Sequence, residues 1–98
     1  MKNDKKMLPI GTVVMLEGGT HKLMIIGQYP IDEKARIKYD YTAVFYPEGF
    51  MTMEQVFAFN NKDIKEIYSE GYRDENYDEW EKKIAPYIAN FEREHPDE

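Results

Sequence analysis

The sequence contains no cysteine, and it has a single serine, a single tryptophan and two histidines, His21 and His95. Without cysteine there is no disulfide framework, thiolate zinc site, iron–sulfur cluster or cysteine nucleophile. Two histidines are too few for a histidine-based metal cluster. The one serine, Ser69, has no histidine near it in sequence, which argues against Ser–His acyl transfer. Long apolar runs are also missing. Stretches such as Leu23-Met24-Ile25-Ile26 stop after about four residues, far short of the roughly 20 that span a bilayer. The charged start, Met1 to Met7, followed by Pro9 and Gly11, does not fit a signal peptide. A cytoplasmic location is therefore expected.

What remains is enough for one folded unit. A chain of 98 residues, 42% hydrophobic and 33% charged, reads as a single globular domain over 1–98. Its net charge of −6 is unevenly placed. Residues 1–60 carry seven basic and seven acidic side chains, whereas residues 61–98 carry six and twelve. The acidic C-terminal part is a poor surface for a phosphate backbone and would suit a basic protein partner.

The first part, residues 8–59, is patterned for strands. Thr12 to Glu17 runs into the hairpin signal Gly18-Gly19, and His21 to Gly27 returns from it. Both runs are apolar at consecutive positions, which predicts cover on both faces. Residues 28–38 read as a loop or the exposed start of a strand. Tyr39 to Tyr46 follows as a strand, with Tyr39, Tyr41, Ala43 and Phe45 on its core side. Pro47-Glu48-Gly49 is a turn, and Glu54 to Phe59 supplies a fourth strand. Val13, Met15, Leu23, Ile25, Ala43, Phe45, Phe57, Ile64 and Ile67 are the expected core.

From residue 60 to 94 the period reads as helical. Asn60 or Asn61 can cap a short helix carrying Ile64, Ile67 and Tyr68, with Gly71 as its C-terminal cap. Asp74 can cap a second, whose stripe is Tyr77, Trp80, Ile84, Tyr87, Ile88 and Phe91. Pro86 is expected to kink it or open a third. The fold class that follows is α+β: an N-terminal antiparallel sheet of four or five strands curled toward a small barrel, then two or three C-terminal helices. Residues 1–7 and 95–98 read as flexible ends.

No constellation for catalysis emerges, so the catalytic, cofactor and metal sets are empty and the chain reads as a non-enzyme. His21 beside the hairpin reads as a surface residue. The acidic run Asp74 to Glu79 lacks the central glycine of a calcium loop. Gly18 to Lys22 leads into a strand, not the helix a phosphate loop needs. Eight tyrosines and five phenylalanines point instead to contact with protein. The turn Tyr46-Pro47-Glu48-Gly49-Phe50-Met51 presents an aromatic pair next to a strand end. The stripe around Trp80 either covers the sheet or docks a partner helix, with burial in a symmetric homodimer as another possibility.

Leu8-Pro9-Ile10-Gly11-Thr12-Val13-Val14, Gly18-Gly19 and Lys22 to Gly27 resemble the opening of a small Firmicutes family, domain of unknown function 4176. Tyr39-Asp40-Tyr41, Tyr46-Pro47-Glu48-Gly49-Phe50, Phe59-Asn60, Ile64 and Gly71-Tyr72 continue the resemblance to about residue 74. The resemblance implies a cytoplasmic accessory protein, adaptor or chaperone. Its partner would be a type VII secretion effector with an amino-terminal Leu-x-Gly domain, or a small helical export component. The expected partner-binding residues are Tyr46, Pro47, Glu48, Gly49, Phe50, Tyr72 and Trp80. A different class of function is a small barrel that binds nucleic acid through aromatic strands and a basic patch of Lys22, Lys34, Arg36 and Lys38.

Overall fold

The computed structural model describes residues 7–32 and 37–94. Seven strands precede one helix: β1 (Val13–Leu16), β2 (Leu23–Gln28), β3 (Ile31–Asp32), β4 (Ile37–Lys38), β5 (Tyr41–Phe45), β6 (Val56–Phe59), β7 (Ile64–Ser69) and α1 (Glu75–Glu94). Five of the strands form one antiparallel sheet in the order β6-β5-β2-β1-β7, and β3 and β4 form a small separate ladder. Lys34 and Arg36 lie outside the described residues, as do the expected flexible ends apart from Met7.

Pairing aligns the apolar positions on one face. Val14 opposes Leu23, Leu23 opposes Phe45, Ile25 opposes Ala43, and Tyr41 opposes Phe59. Opposed residues share a face, so these side chains converge. With Leu8 from the leading segment and Ile64 from β7, all of these but Phe45 make the buried cluster, and Leu16, Phe45, Phe57 and Ile67 pack around it. The second face is covered at Val13 and Val44 but left open at Ile26.

The sheet is an open one, with β6 and β7 as its edges and no ladder joining them. This corrects the expectation of a barrel. The edges are nevertheless tied by a short link, the 3-10 turn Asn61–Asp63. Five strands laid flat would hold their edges about 19 Å apart. A turn that rises only about 2 Å per residue forces the sheet to coil. At this corner the Asp40 amide donates to Asn60 Oδ1 (3.1 Å), the Asn61 amide donates to Asp40 Oδ2 (2.7 Å), and the Tyr41 hydroxyl donates to Asn61 Oδ1 (3.0 Å).

Among the described residues there is one C-terminal helix, not two or three. Residues 64–69, expected as helix, form β7 against β1. The reason lies in the register. Met15 opposes Glu66 and Leu16 opposes Ile64, so the ladder skips Lys65. This bulge turns Ile64 and Ile67, three apart, to the same face, a spacing that otherwise signals a helix. Gly71 is correspondingly not a helix cap. A Cβ there would stand 2.0 Å from the Ile10 carbonyl oxygen, so the glycine permits close passage of two backbones. Beyond it, α1 begins as expected, with the Tyr77 amide donating to Asp74 Oδ1 (3.1 Å). The helix runs unbroken through Pro86. Pro86 is exposed, so the carbonyl that loses its partner can face water.

Candidate functional site

The seven expected partner-binding residues are not brought together: five lie at one end of β2, Trp80 at the other, and Tyr72 apart from both. Phe45 opposes Leu23 at one end of β2, and Tyr41 opposes Gln28 at the other. The five residues Tyr46 to Phe50 follow Phe45 at the first end, while Trp80 bonds to Gln28 at the second. Five residue steps along a strand separate these ends by about 17 Å. Tyr72, the remaining candidate, follows Gly71, whose amide donates to Thr12 Oγ1 (3.0 Å).

The turn after β5 is fixed at several points. The Tyr46 amide donates to the Lys22 carbonyl (2.9 Å), and the Gly49 amide donates to the Phe45 carbonyl (2.7 Å). Gly49 adopts φ 79°, a conformation cheap only for glycine, and the Tyr46–Pro47 bond is cis. His21 Nε2 lies 3.0 Å from Glu48 Oε1, and the His21 ring leans on Phe45 at 4.4 Å. The hydrogen bond from His21 lowers the Glu48 carboxyl below its ordinary pKa. Sequence reasoning left His21 as an isolated surface residue; only pairing of β2 with β5 brings it to Glu48. Around this frame Tyr46, Phe50 (60% exposed), Met51 and Met53 (75% exposed) stand in solvent. Met53 had not been singled out, although its place in the Met51-Thr52-Met53 run was a usable signal.

At the other end a polar hub holds the helix. Gln28 Nε2 donates to the Leu8 carbonyl (2.8 Å) and to the Tyr77 hydroxyl (3.1 Å). Gln28 Oε1 accepts from the Trp80 indole N–H (2.8 Å). The Tyr77 hydroxyl lies within 3.1 Å of the Met7 carbonyl, which also accepts from Arg73 Nη2 (2.6 Å). Partial burial raises the Tyr77 phenol above its ordinary pKa. Trp80 is 44% exposed, so it is neither a core plug nor a free docking ring. Tyr77, Ile84 and Ile88 are half-buried, Tyr87 is exposed, and the Phe91 side chain lies outside the described residues. Tyr72, at 80%, is the most exposed large apolar side chain among the described residues.

The expected basic patch is only partly described. Lys22 Nζ lies over the Tyr68 ring at 5.0 Å, and Lys38 is placed in β4 opposite Ile31. Among the described residues no three acidic or imidazole side chains gather to hold a metal ion, and no helix is long and apolar enough to cross a membrane.

Comparison with known proteins agrees with the sequence resemblance and extends it. The chain belongs to the family described as Domain of unknown function (DUF4176), which matches residues 7–80. No curated protein and no solved structure matches it.

Proposed function

Starting from membership of this family, we propose that the chain is a non-enzymatic accessory protein, an adaptor or chaperone that binds another protein. The observation that carries this reading is the group of large apolar side chains held in solvent on a fixed turn: Tyr46, Phe50, Met51 and Met53. Exposed aromatic and methionine side chains on a rigid frame supply contact area at little ordering cost. The Tyr46 and Gly49 amides are bonded to Lys22 and Phe45, and Glu48 lies against His21, so the frame of the turn is set before a partner arrives.

The partner class follows from the resemblance: an effector with an amino-terminal Leu-x-Gly domain, or a small helical export component, met in the cytoplasm before secretion. Tagged protein recovered from the producing cells should bring down one of these, and a Phe50→Ser, Met53→Ser variant should not. Recovery of neither, from cells in which the tagged protein is folded and the effector is made, would sink the adaptor reading. Nucleic-acid binding has less support. Lys22 is engaged with Tyr68, and the chain carries a net charge of −6.

A further inference from the structure

We propose that the β5–β6 turn is the docking surface for a basic amphipathic segment of the partner. This inference rests on the adaptor reading above and assigns it a place and a chemistry. Four large apolar side chains, Tyr46, Phe50, Met51 and Met53, are exposed within eight consecutive positions. Scattered exposed apolar residues need no explanation, but a local concentration marks a contact surface.

Charge selects the occupant. From Tyr39 to Asn61 the sequence has three acidic residues, Asp40, Glu48 and Glu54, and no lysine or arginine. Glu48 and Glu54 are exposed and flank Phe50, Met51 and Met53 in sequence, Glu48 with His21 Nε2 at 3.0 Å from its Oε1. A segment with apolar side chains flanked by Lys or Arg would bury against the group and meet a carboxylate on either side. A second copy of this chain would bring the same two carboxylates against themselves, on a molecule of net charge −6. The methionines fit a partner face of irregular shape, since their side chains reshape at low cost. The helix end is a weaker candidate. The Trp80 indole N–H is committed to Gln28, and Lys82 and Lys83 follow directly after its acidic turn.

The test titrates the isotope-labelled full chain with a synthetic amphipathic peptide of leucine and lysine, and separately with its leucine–glutamate counterpart. The lysine peptide should shift the amides of residues 46–54 saturably, and the glutamate peptide should not. Phe50→Ser with Met53→Ser should weaken binding at least tenfold; both side chains are exposed, so the fold survives. Glu54→Lys, which removes no apolar contact, should weaken it at least threefold. A footprint on residues 75–81, equal binding of both peptides, or a dimer that dissociates in the Phe50/Met53 variant would each overturn the proposal. If the native partner is still retained by that variant, this surface is wrong while the adaptor reading stands. If the wild-type chain retains no partner, the adaptor reading fails and the peptide footprint still decides the surface.

Discussion

Gly71 and Tyr41 show how much single positions can carry. Any side chain at Gly71 meets backbone, not a movable side chain: the Ile10 carbonyl oxygen would stand 2.0 Å from the new Cβ. Gly71→Ala should therefore cost at least about 3 kcal/mol, the upper range for overpacking, read as a shift in the denaturation midpoint. Tyr41 is buried, and its hydroxyl accepts from the Leu8 amide (3.1 Å) while donating to Asn61. Removing the oxygen strands that amide, so Tyr41→Phe should destabilise by about 1–3 kcal/mol. Burial pushes the phenol up from 10.0 to about 12. Because the folded pKa is the higher one, the unfolded chain loses its proton first. The stabilisation is intact below about pH 10 and is lost as pH rises toward about 12. Urea titrations across that window should show a decline that is smaller in the Tyr41→Phe variant, where only the other raised phenols, such as Tyr77, remain.

The elements were unequally legible. β1, β2, β5 and β6 lie within or close to the runs that β-branched and aromatic residues marked, because local pattern decides such strands. β7 was misread because its bulge gives Ile64 and Ile67 a helical spacing, and no property of residues 64–69 alone reveals the skipped Lys65. Helix α1 was visible from its amphipathic pattern and Asp74, but its attachment was not. Gln28 looked like a loop residue, and its partners Tyr77 and Trp80 are 49 and 52 positions away. The His21–Glu48 pair was hidden for the same reason. Since Gln28 bonds to both Tyr77 and Trp80 and so ties α1 to β2, the Gln28 hub should govern the docking of the helix. Gln28→Ala should speed hydrogen exchange in residues 77–84 by at least tenfold, with the amides of β2 and β5 nearly unchanged. Equal loss of protection in helix and sheet would show that the two unfold together and that the hub is not a separate latch.

On the scale of the molecule, the two exposed groups stand at opposite ends of β2 and share no hydrogen-bond partner among the described residues. Changes at Phe50 and Trp80 should then be independent: the stability effects of Phe50→Ser and Trp80→Ala should add to within about 0.5 kcal/mol in the double variant. A larger coupling would mean that strain passes along the sheet. The strand order also governs how the chain can assemble. The β1–β2 and β5–β6 pairings join neighbours in sequence, but β1 gains its other partner only from β7, with Val14 opposite Ile67 across 53 positions. Closing such a loop costs about 1.6 kcal/mol more than closing the loop that sets Val14 opposite Leu23. During synthesis one side of β1 therefore stays open until Ser69 has emerged, and the arrival of the last strand beside the first is the step this topology is expected to make slow.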